Sequence, residues 1–440
     1  MEILLETLCG KVRGIENEHY RCFLGVPYAR AGRFEYAKEV DHWDDELDAT
    51  AFGPACPQYR QFFPHLDVPE RHFYYREFRE GQEFEYDEAK CLNLNIYTPK
   101  EKGTYPVLVY VHGGGFNSMC NSESYLDGAA YAKRGVILVT INYRVGVFGY
   151  LTNEAIKNEF GHEGNFGLDD ILVAAQWVKK NIASFGGDPE NITLMGQSAG
   201  AISIQYLCLN KRSEGLFNRA IMMSGAGAFP KFALPRPAEK TREYWEAVIA
   251  ASGAKGFEEF KQLSVKDILA AVEKIKTERK DNQFNTMPVV DGCLLEDDVD
   301  KLIKNPLKID YMIGYTNNDM YTAIVARMAH KYAKANNGYL YFFDVDAPGD
   351  NNLAFHSSDL RYAFGTLDKS WRPYDDEDKR VSEIMIDYFA SFIAKGDPNG
   401  DERPEWKRGT GALCISKKEI KMGPVPKFRL FKNTFIGDPK

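Results

Sequence analysis

Short aliphatic runs separated by an amphipathic stripe restrict the folds open to this chain. Residues 107–111 (Val-Leu-Val-Tyr-Val), 136–141 (Val-Ile-Leu-Val-Thr-Ile) and 191–195 (Asn-Ile-Thr-Leu-Met) are brief, β-branched and almost continuously apolar. That is the pattern of strands buried on both faces. Between the second and third runs, Ile171, Ala174, Ala175, Val178 and Ile182 recur at helical spacing and form one apolar stripe. After the third run come "AGAISIQYLCL", suited to a helix, and "RAIMMSG", suited to a strand. Buried strands alternating with amphipathic helices predict an α/β chain with a mostly parallel central sheet and helices on both faces. Segments 1–5 and 20–26 read as earlier strands, and "IDYMIGYT" and "YLYFFDVD" as later ones. From about 228 to 304 charged helical stretches replace strands, which predicts a helical excursion within a single domain spanning 1–440. A last helix is predicted over 378–395, with Val381, Ile384, Met385, Tyr388, Phe389 and Phe392 as its stripe and Gly396 as its stop.

Composition narrows the function classes. With 44% hydrophobic residues the 440-residue chain can bury a large core. A net charge of −8 disfavours nucleic acid or an anionic membrane as partner. No stretch nears the roughly 20 apolar residues that cross a bilayer. "MEILLETLCGKVRG" lacks the basic start, apolar run and small-residue site of a signal peptide, so the expected location is cytoplasmic. Eight cysteines are scattered without a CxxC pair or a histidine at metal spacing, so they read as buried thiols and no metal site is expected.

The third strand ends in Gly196-Gln197-Ser198-Ala199-Gly200 and a helix follows. Gly-x-Ser-x-Gly in that context is the pattern of a nucleophile elbow, where the serine backbone is strained and bulk is excluded two residues to either side. A glycine-rich turn with a helix-capping serine is the competing explanation. A serine hydroxyl needs a base to take its proton, and in this architecture acid and histidine follow the serine in chain order. Of eight histidines only His330 and His356 do so. His330 lies in the helical-looking "AIVARMAHKYAKA", whereas His356 follows a strand and a turn, where catalytic groups collect outside strand ends. Asp319 lies just past "IDYMIGYT" and suits the acid, with Asp344 and Asp346 as positional rivals and Asp310 at the wrong end of its strand. "VHGGGF" places Gly113, Gly114 and Gly115 after a buried strand, so unhindered N–H groups can face a developing oxyanion, and Ala199 can add another at the helix start.

These residues sit inside a longer series. "FLGVPYAR", "LDATAFGPACPQ", "CLNLNIYTP", "VHGGGF", "INYRVGVFGYL", "GNFGLDD", "ASFGGDPENITLMGQSAGA", "MSGA", "MPVVDG" and "AFHSSDLRYAFGTL" occur in one order over nearly the whole chain. In this the chain resembles the type-B carboxylesterases of the esterase/lipase superfamily, which includes bacterial para-nitrobenzyl esterases and cholinesterases. The resemblance implies an α/β-hydrolase fold and a cofactor-free serine carboxylesterase acting on a small-molecule ester. It implies a Ser198–His356–Asp319 triad, oxyanion donors at Gly114, Gly115 and Ala199, and Ser224 as a hydroxyl near the histidine, with Gln197 and Phe116 flanking the site. A non-catalytic binding protein, or an amidase or lyase using the same residues, are the alternatives on this fold.

Several positions depart from that pattern. The acid is usually Glu and here is Asp319, one methylene shorter. The residue before the nucleophile is often Glu and here is Gln197. Cys56 and Cys91 match a pair that is disulfide-linked in secreted members, and a cytoplasmic chain would keep them reduced. Between them the cholinesterases carry a cation-binding tryptophan. This chain has only Tyr59, Phe62, Phe63, Phe73, Tyr74, Tyr75, Phe78, Phe84 and Tyr86, which disfavours a choline substrate. The span from Asp319 to His356 is short and holds one predicted helix near 321–334, which leads us to expect an open site for bulky or aromatic acyl groups.

Overall fold

The computed structural model describes residues 1–58, 76–78, 81–225, 234–279, 285–319, 322–401 and 403–425. Its main sheet contains β1 (Glu2–Thr7), β2 (Gly10–Glu16), β3 (Arg21–Pro27), β4 (Asn93–Thr98), β5 (Tyr105–Val111), β6 (Ile137–Ile141), β7 (Gly187–Gln197), β8 (Arg219–Met223), β9 (Asp310–Thr316), β10 (Tyr339–Phe343), β11 (Ala412–Ile415) and β12 (Ile420–Gly423). They lie in the order β1-β2-β3-β4-β6-β5-β7-β8-β9-β10-β11-β12, and Leu47–Asp48 pairs with β2. From β6 to β11 every neighbour is parallel. The strands on either side of that block are antiparallel.

Period-two alternation divides the strand side chains between two cores. Val107, Val109, Val111, Leu194 and Ile313 enter one cluster, while Leu108, Tyr110, Met195 and Met312 enter the other. The first is covered by α1 (Phe166–Asn181), α2 (Ala199–Leu207), α3 (Arg242–Ala251), α4 (Val265–Arg279) and α5 (Thr322–Ala335). The second is covered by α6 (Leu360–Phe364) and α7 (Asp376–Lys395). The predicted stripe of α1 is buried throughout, and each fully buried aliphatic side chain contributes about 1.5–3 kcal/mol. Trp177 extends that face and donates from Nε1 to the Val40 carbonyl at 3.1 Å. The described helices of the 228–304 stretch join the same core through Trp245, Val248, Phe260 and Ile268. No described helix is long and apolar enough to cross a membrane.

Parallel register brings the carboxyl ends of the central strands to one edge. Gly196 on β7 is opposite Val111 on β5, Gln197 opposite Met223 on β8, and Met223 opposite Gly314 on β9. The loops leaving β5, β7, β8, β9 and β10 therefore open on common ground, where ligands of open α/β sheets bind. The second N-terminal strand and the edge strands β11 and β12 were not expected from the sequence. The last helix starts two residues before the predicted boundary because Asp375 and Asp378 form a reciprocal capping box, and Gly396 ends it at φ 74°.

Candidate active site

Ser198 sits at the junction of β7 and α2 with φ 56° and ψ −124°, a strained geometry for a residue with a side chain. Its N–H donates to the Met223 carbonyl at 2.9 Å, and its carbonyl accepts from Ile202 N–H at 3.0 Å. The flanking glycines are sterically required. A Cβ on Gly196 would lie 2.6 Å from the Gly200 carbonyl carbon, and one on Gly200 would lie 2.1 Å from the Val111 oxygen. The strand-to-helix turn closes only because both positions lack side chains.

The HGGG loop leaves β5 beside this turn. A Cβ on Gly113 would sit 3.1 Å from Ser198 Cβ, which fixes how closely the two loops approach. Gly114 and Gly115 have φ 93° and 61°, and Phe116 continues at 63°. Among the described residues the N–H groups of Gly114, Gly115 and Ala199 donate to no protein acceptor. Unsatisfied backbone donors are a cost unless solvent or a ligand takes them. His112 is buried, stacks on Tyr143 with centroids 4.3 Å apart, and contacts the Gly113 carbonyl, so it braces the loop.

The structure brings Asp319 and His356 together and separates their rivals. His356 Nδ1 lies 2.5 Å from Asp319 Oδ1, and both residues are buried. The other carboxylate oxygen of Asp319 accepts from Thr316 N–H at 3.2 Å. Asp344 is exposed just past β10 and accepts from the Asn317 side chain, and Asp346 is also exposed. His330 lies within α5. The two loops are joined through Asn318, whose N–H donates to the Ala354 carbonyl at 2.9 Å and whose side chain donates to the Asn352 carbonyl at 3.1 Å. Asn318 carried no signal in the sequence beyond standing next to the acid.

Gln197 has a larger part than its position suggests. Its side-chain nitrogen is 3.1 Å from His356 Nε2. With Nδ1 protonated and donating to Asp319, Nε2 carries a lone pair and accepts from the amide. If Nε2 gained a proton, rotation of the carboxamide would offer its oxygen instead, the two ends being interchangeable in shape. Ser224 has φ 52°, and its hydroxyl is buried with no hydrogen-bond partner among the described residues. Met287 and Tyr150, unanticipated, pack with Phe116 and Ala199 into a small apolar cluster beside the glycine loop. Of the nine described non-glycine residues with positive φ, six lie in the loops around this edge: Phe116, Met119, Ser198, Ser224, Leu353 and Ser357. Such strain concentrates where geometry serves chemistry.

Away from the site, all eight cysteines are unbridged, Cys56 and Cys91 among them. A hydrogen bond between the two thiols that holds the proton on Cys91, and then burial, raise the Cys91 thiol well above its ordinary range. Tyr59, Phe62, Phe63, Phe73, Tyr74 and Tyr75 lie outside the described residues. Phe78 is buried against Tyr125, and Phe84 and Tyr86 are half-buried. Among the described residues no group of three or more His, Cys, Asp or Glu side chains could hold a metal ion.

A mostly parallel sheet with helices on both faces, and functional loops gathered at one strand edge, defines an α/β-hydrolase. A carboxylesterase-family profile matches residues 2–329 and 320–414. The para-nitrobenzyl esterase of Bacillus subtilis (strain 168) is 28% identical over 487 residues, covering 95% of each chain. Esterase cest-33 of Caenorhabditis elegans is 33% identical, over 90% of this chain and 86% of its own. A solved thermophilic para-nitrobenzyl esterase superposes with a TM-score of 0.84 at 26% identity, covering 96% of this chain and 98% of its own. The chain belongs to the carboxylesterase family and is a carboxylic ester hydrolase.

Proposed function

We propose that Ser198 is the nucleophile, His356 the general base and Asp319 the acid that orients it. The observation that carries this is the 2.5 Å His356–Asp319 contact, made by two loops stitched together at the edge where Ser198 is held in strain. Ser198 attacks the ester carbonyl, and His356 Nε2, once the Gln197 amide has turned away from it, takes its proton as the tetrahedral oxyanion forms. Gly114, Gly115 and Ala199 N–H groups receive that oxyanion, which accounts for their lack of protein acceptors. The imidazolium returns the proton to the leaving alcohol, and water activated by the same histidine releases the acid. Asp319 stays ionised and steadies the imidazolium. Ser198→Ala should lower kcat by roughly 10³-fold or more. A fluorophosphonate should label Ser198 and not the variant; near-normal activity in Ser198→Ala would refute the assignment.

For the substrate, we infer bulky or aromatic acyl esters. His356 follows Asp319 by only 37 positions, and among the described residues α5 is the one helix between them. Less structure over the acid and base leaves more room for the acyl group. Rates on hydroxycinnamoyl, long alkyl and short alkyl esters test this, and a strict preference for short unbranched acyl groups would overturn it. The unbridged cysteines suit a reducing compartment, which supports a cytoplasmic enzyme.

A further inference from the structure

A recess of about 360 Å³ opens beside α1, lined by none of the loops that carry Ser198, Asp319, His356 or the glycines. One wall is aromatic. Tyr36 stands edge-on to Phe160 with ring centroids 5.3 Å apart, and lies against the His162 ring at 4.3 Å. The Tyr36 hydroxyl donates to the Gly164 carbonyl at 2.9 Å, so the residue presents its ring to a ligand rather than its hydroxyl.

The opposite wall carries a charge. Asp169, in the first turn of α1, is 5% exposed and lines the recess. Among the described residues no N–H or O–H group donates to its carboxylate. The one described cation within reach is Arg212, whose Nη2 lies 3.7 Å from Asp169 Oδ1, beyond hydrogen-bond length. Arg212 is exposed, and its Nη1 lies 3.7 Å from the Cys293 sulfur. The other polar groups of the recess do not neutralise Asp169. Glu39 is itself an acid and already holds Lys180 at 2.8 Å. Burial lowers the His162 imidazole, which is therefore neutral at neutral pH; its Nδ1 is buried 3.9 Å from Asp291 Oδ2, with no hydrogen-bond partner among the described residues. Burial, followed by the charge of Asp170, raises the Asp169 carboxyl to about 6, with Asp291 adding to it and Arg212 and Arg144 opposing, so the group is an anion above that pH.

We propose that this recess is a binding site for a small organic cation, an ammonium or guanidinium head on a flat apolar body. The head bonds to Asp169, and the body lies along the Tyr36, Phe160 and His162 rings. A buried carboxylate without a partner is costly, and a charged donor from a ligand removes that cost with a strong hydrogen bond. The aromatic faces add a cation–π attraction. Arg212, which makes no hydrogen bond to Asp169, swings out into solvent. The volume falls in the range of small-molecule sites, roughly 300–1,000 Å³. A metal ion is the poorer occupant, because among the described residues no three His, Cys, Asp or Glu side chains converge to hold one. The site is independent of the triad reading and stands or falls without it.

Calorimetric titration of the full chain with phenethylammonium chloride near pH 8 tests this. Saturable binding is expected. Phenethyl alcohol, the same body without the charge, and hydrocinnamate, with the opposite charge, should bind at least about tenfold more weakly. Asp169→Asn should weaken the ammonium by roughly 10- to 100-fold with no fall in melting temperature, so the loss is one of binding and not of folding. Gln176→Lys places a competing ammonium on the same wall from a half-buried position of α1, and should weaken binding by about tenfold or more. In the parent the affinity should decline from about pH 8 to 5 as Asp169 gains a proton, and in Asp169→Asn it should decline far less. No saturable binding, an alcohol that binds as tightly as the ammonium, or an affinity unchanged in Asp169→Asn would overturn the proposal. If Asp169→Asn does not fold, Gln176→Lys and the alcohol comparison decide.

Discussion

Replacing Glu77 by Gln should weaken the fold and the catalytic base together. Glu77 is 2% exposed and its two oxygens accept from Arg361 Nε at 2.7 Å and Arg372 Nε at 2.5 Å. Arg372 also donates to Asp350 and to the Pro348 carbonyl, both at 2.8 Å, and its guanidinium lies 5.1 Å from the Phe355 ring centroid. Phe355 immediately precedes His356, and Arg361 lies on the helix that follows it. The network thus grips the histidine loop on both sides. Gln offers one acceptor where there were two and turns an amide toward a buried guanidinium. Breaking one partner of a buried ion pair costs about 3–5 kcal/mol. At about 2.1 cal/mol/K per residue, 440 residues give an unfolding entropy near 0.9 kcal/mol/K, so the melting temperature should fall by about 3–5 °C. A base displaced by even about 1 Å loses on the order of 10²-fold in rate. Thermal melts and steady-state hydrolysis of a para-nitrophenyl ester should therefore show the lower Tm and a ten- to hundredfold drop in kcat, with KM changed less. A melting temperature within about 1 °C of the parent and kcat within about twofold would show that the network does not hold His356 in place.

Two further outcomes follow from individual side chains. Gln197→Glu puts a carboxylate 3.1 Å from His356 Nε2, which favours the protonated ring, so the acid limb of kcat/KM should move to higher pH by about one unit; an unmoved limb contradicts the contact. Asp169 is buried, and burial followed by the charge of Asp170 raises its carboxyl to about 6. The folded state then binds more protons than the unfolded state between about pH 4 and 6, and stability declines as pH rises through that window. Asp169→Asn should be more stable than the parent by up to about 3 kcal/mol above pH 6 and equal to it below about pH 4; urea melts at pH 4 and 8 that show the same difference would refute this.

The sequence announces the parts of this protein that depend on local pattern. β5 and β6 carry nearly continuous apolar runs, and the apolar end of β7 leads into Gly-x-Ser-x-Gly, so the elbow could be placed by reading alone. Chain order left His330 and His356, and the strand-end rule selected the one that meets Asp319 in the structure. What stayed hidden depends on partners far apart in the chain. β2 is "GKVRGIE", half-buried and interrupted by glycine, and it becomes a strand through its pairing with β1. β11 and β12 are four residues each, too short for a period to show. Glu77 is separated by 284 residues from Arg361, and nothing in "YYREF" suggests a buried carboxylate.

The stitch at Asn318 has a consequence for how such enzymes can change. The acid and the base are spaced across two neighbouring loops, by hydrogen bonds from 318 to 352 and 354, and not along the polypeptide. The intervening chain leaves β9 and returns by β10, adjacent parallel strands whose ends are fixed by the sheet. Everything between them, α5 included, is therefore interchangeable ballast as far as the 2.5 Å contact is concerned. The stretch can be trimmed, extended or exchanged with the reacting pair travelling as one cassette. A laboratory seeking new ester preferences has its graft point there.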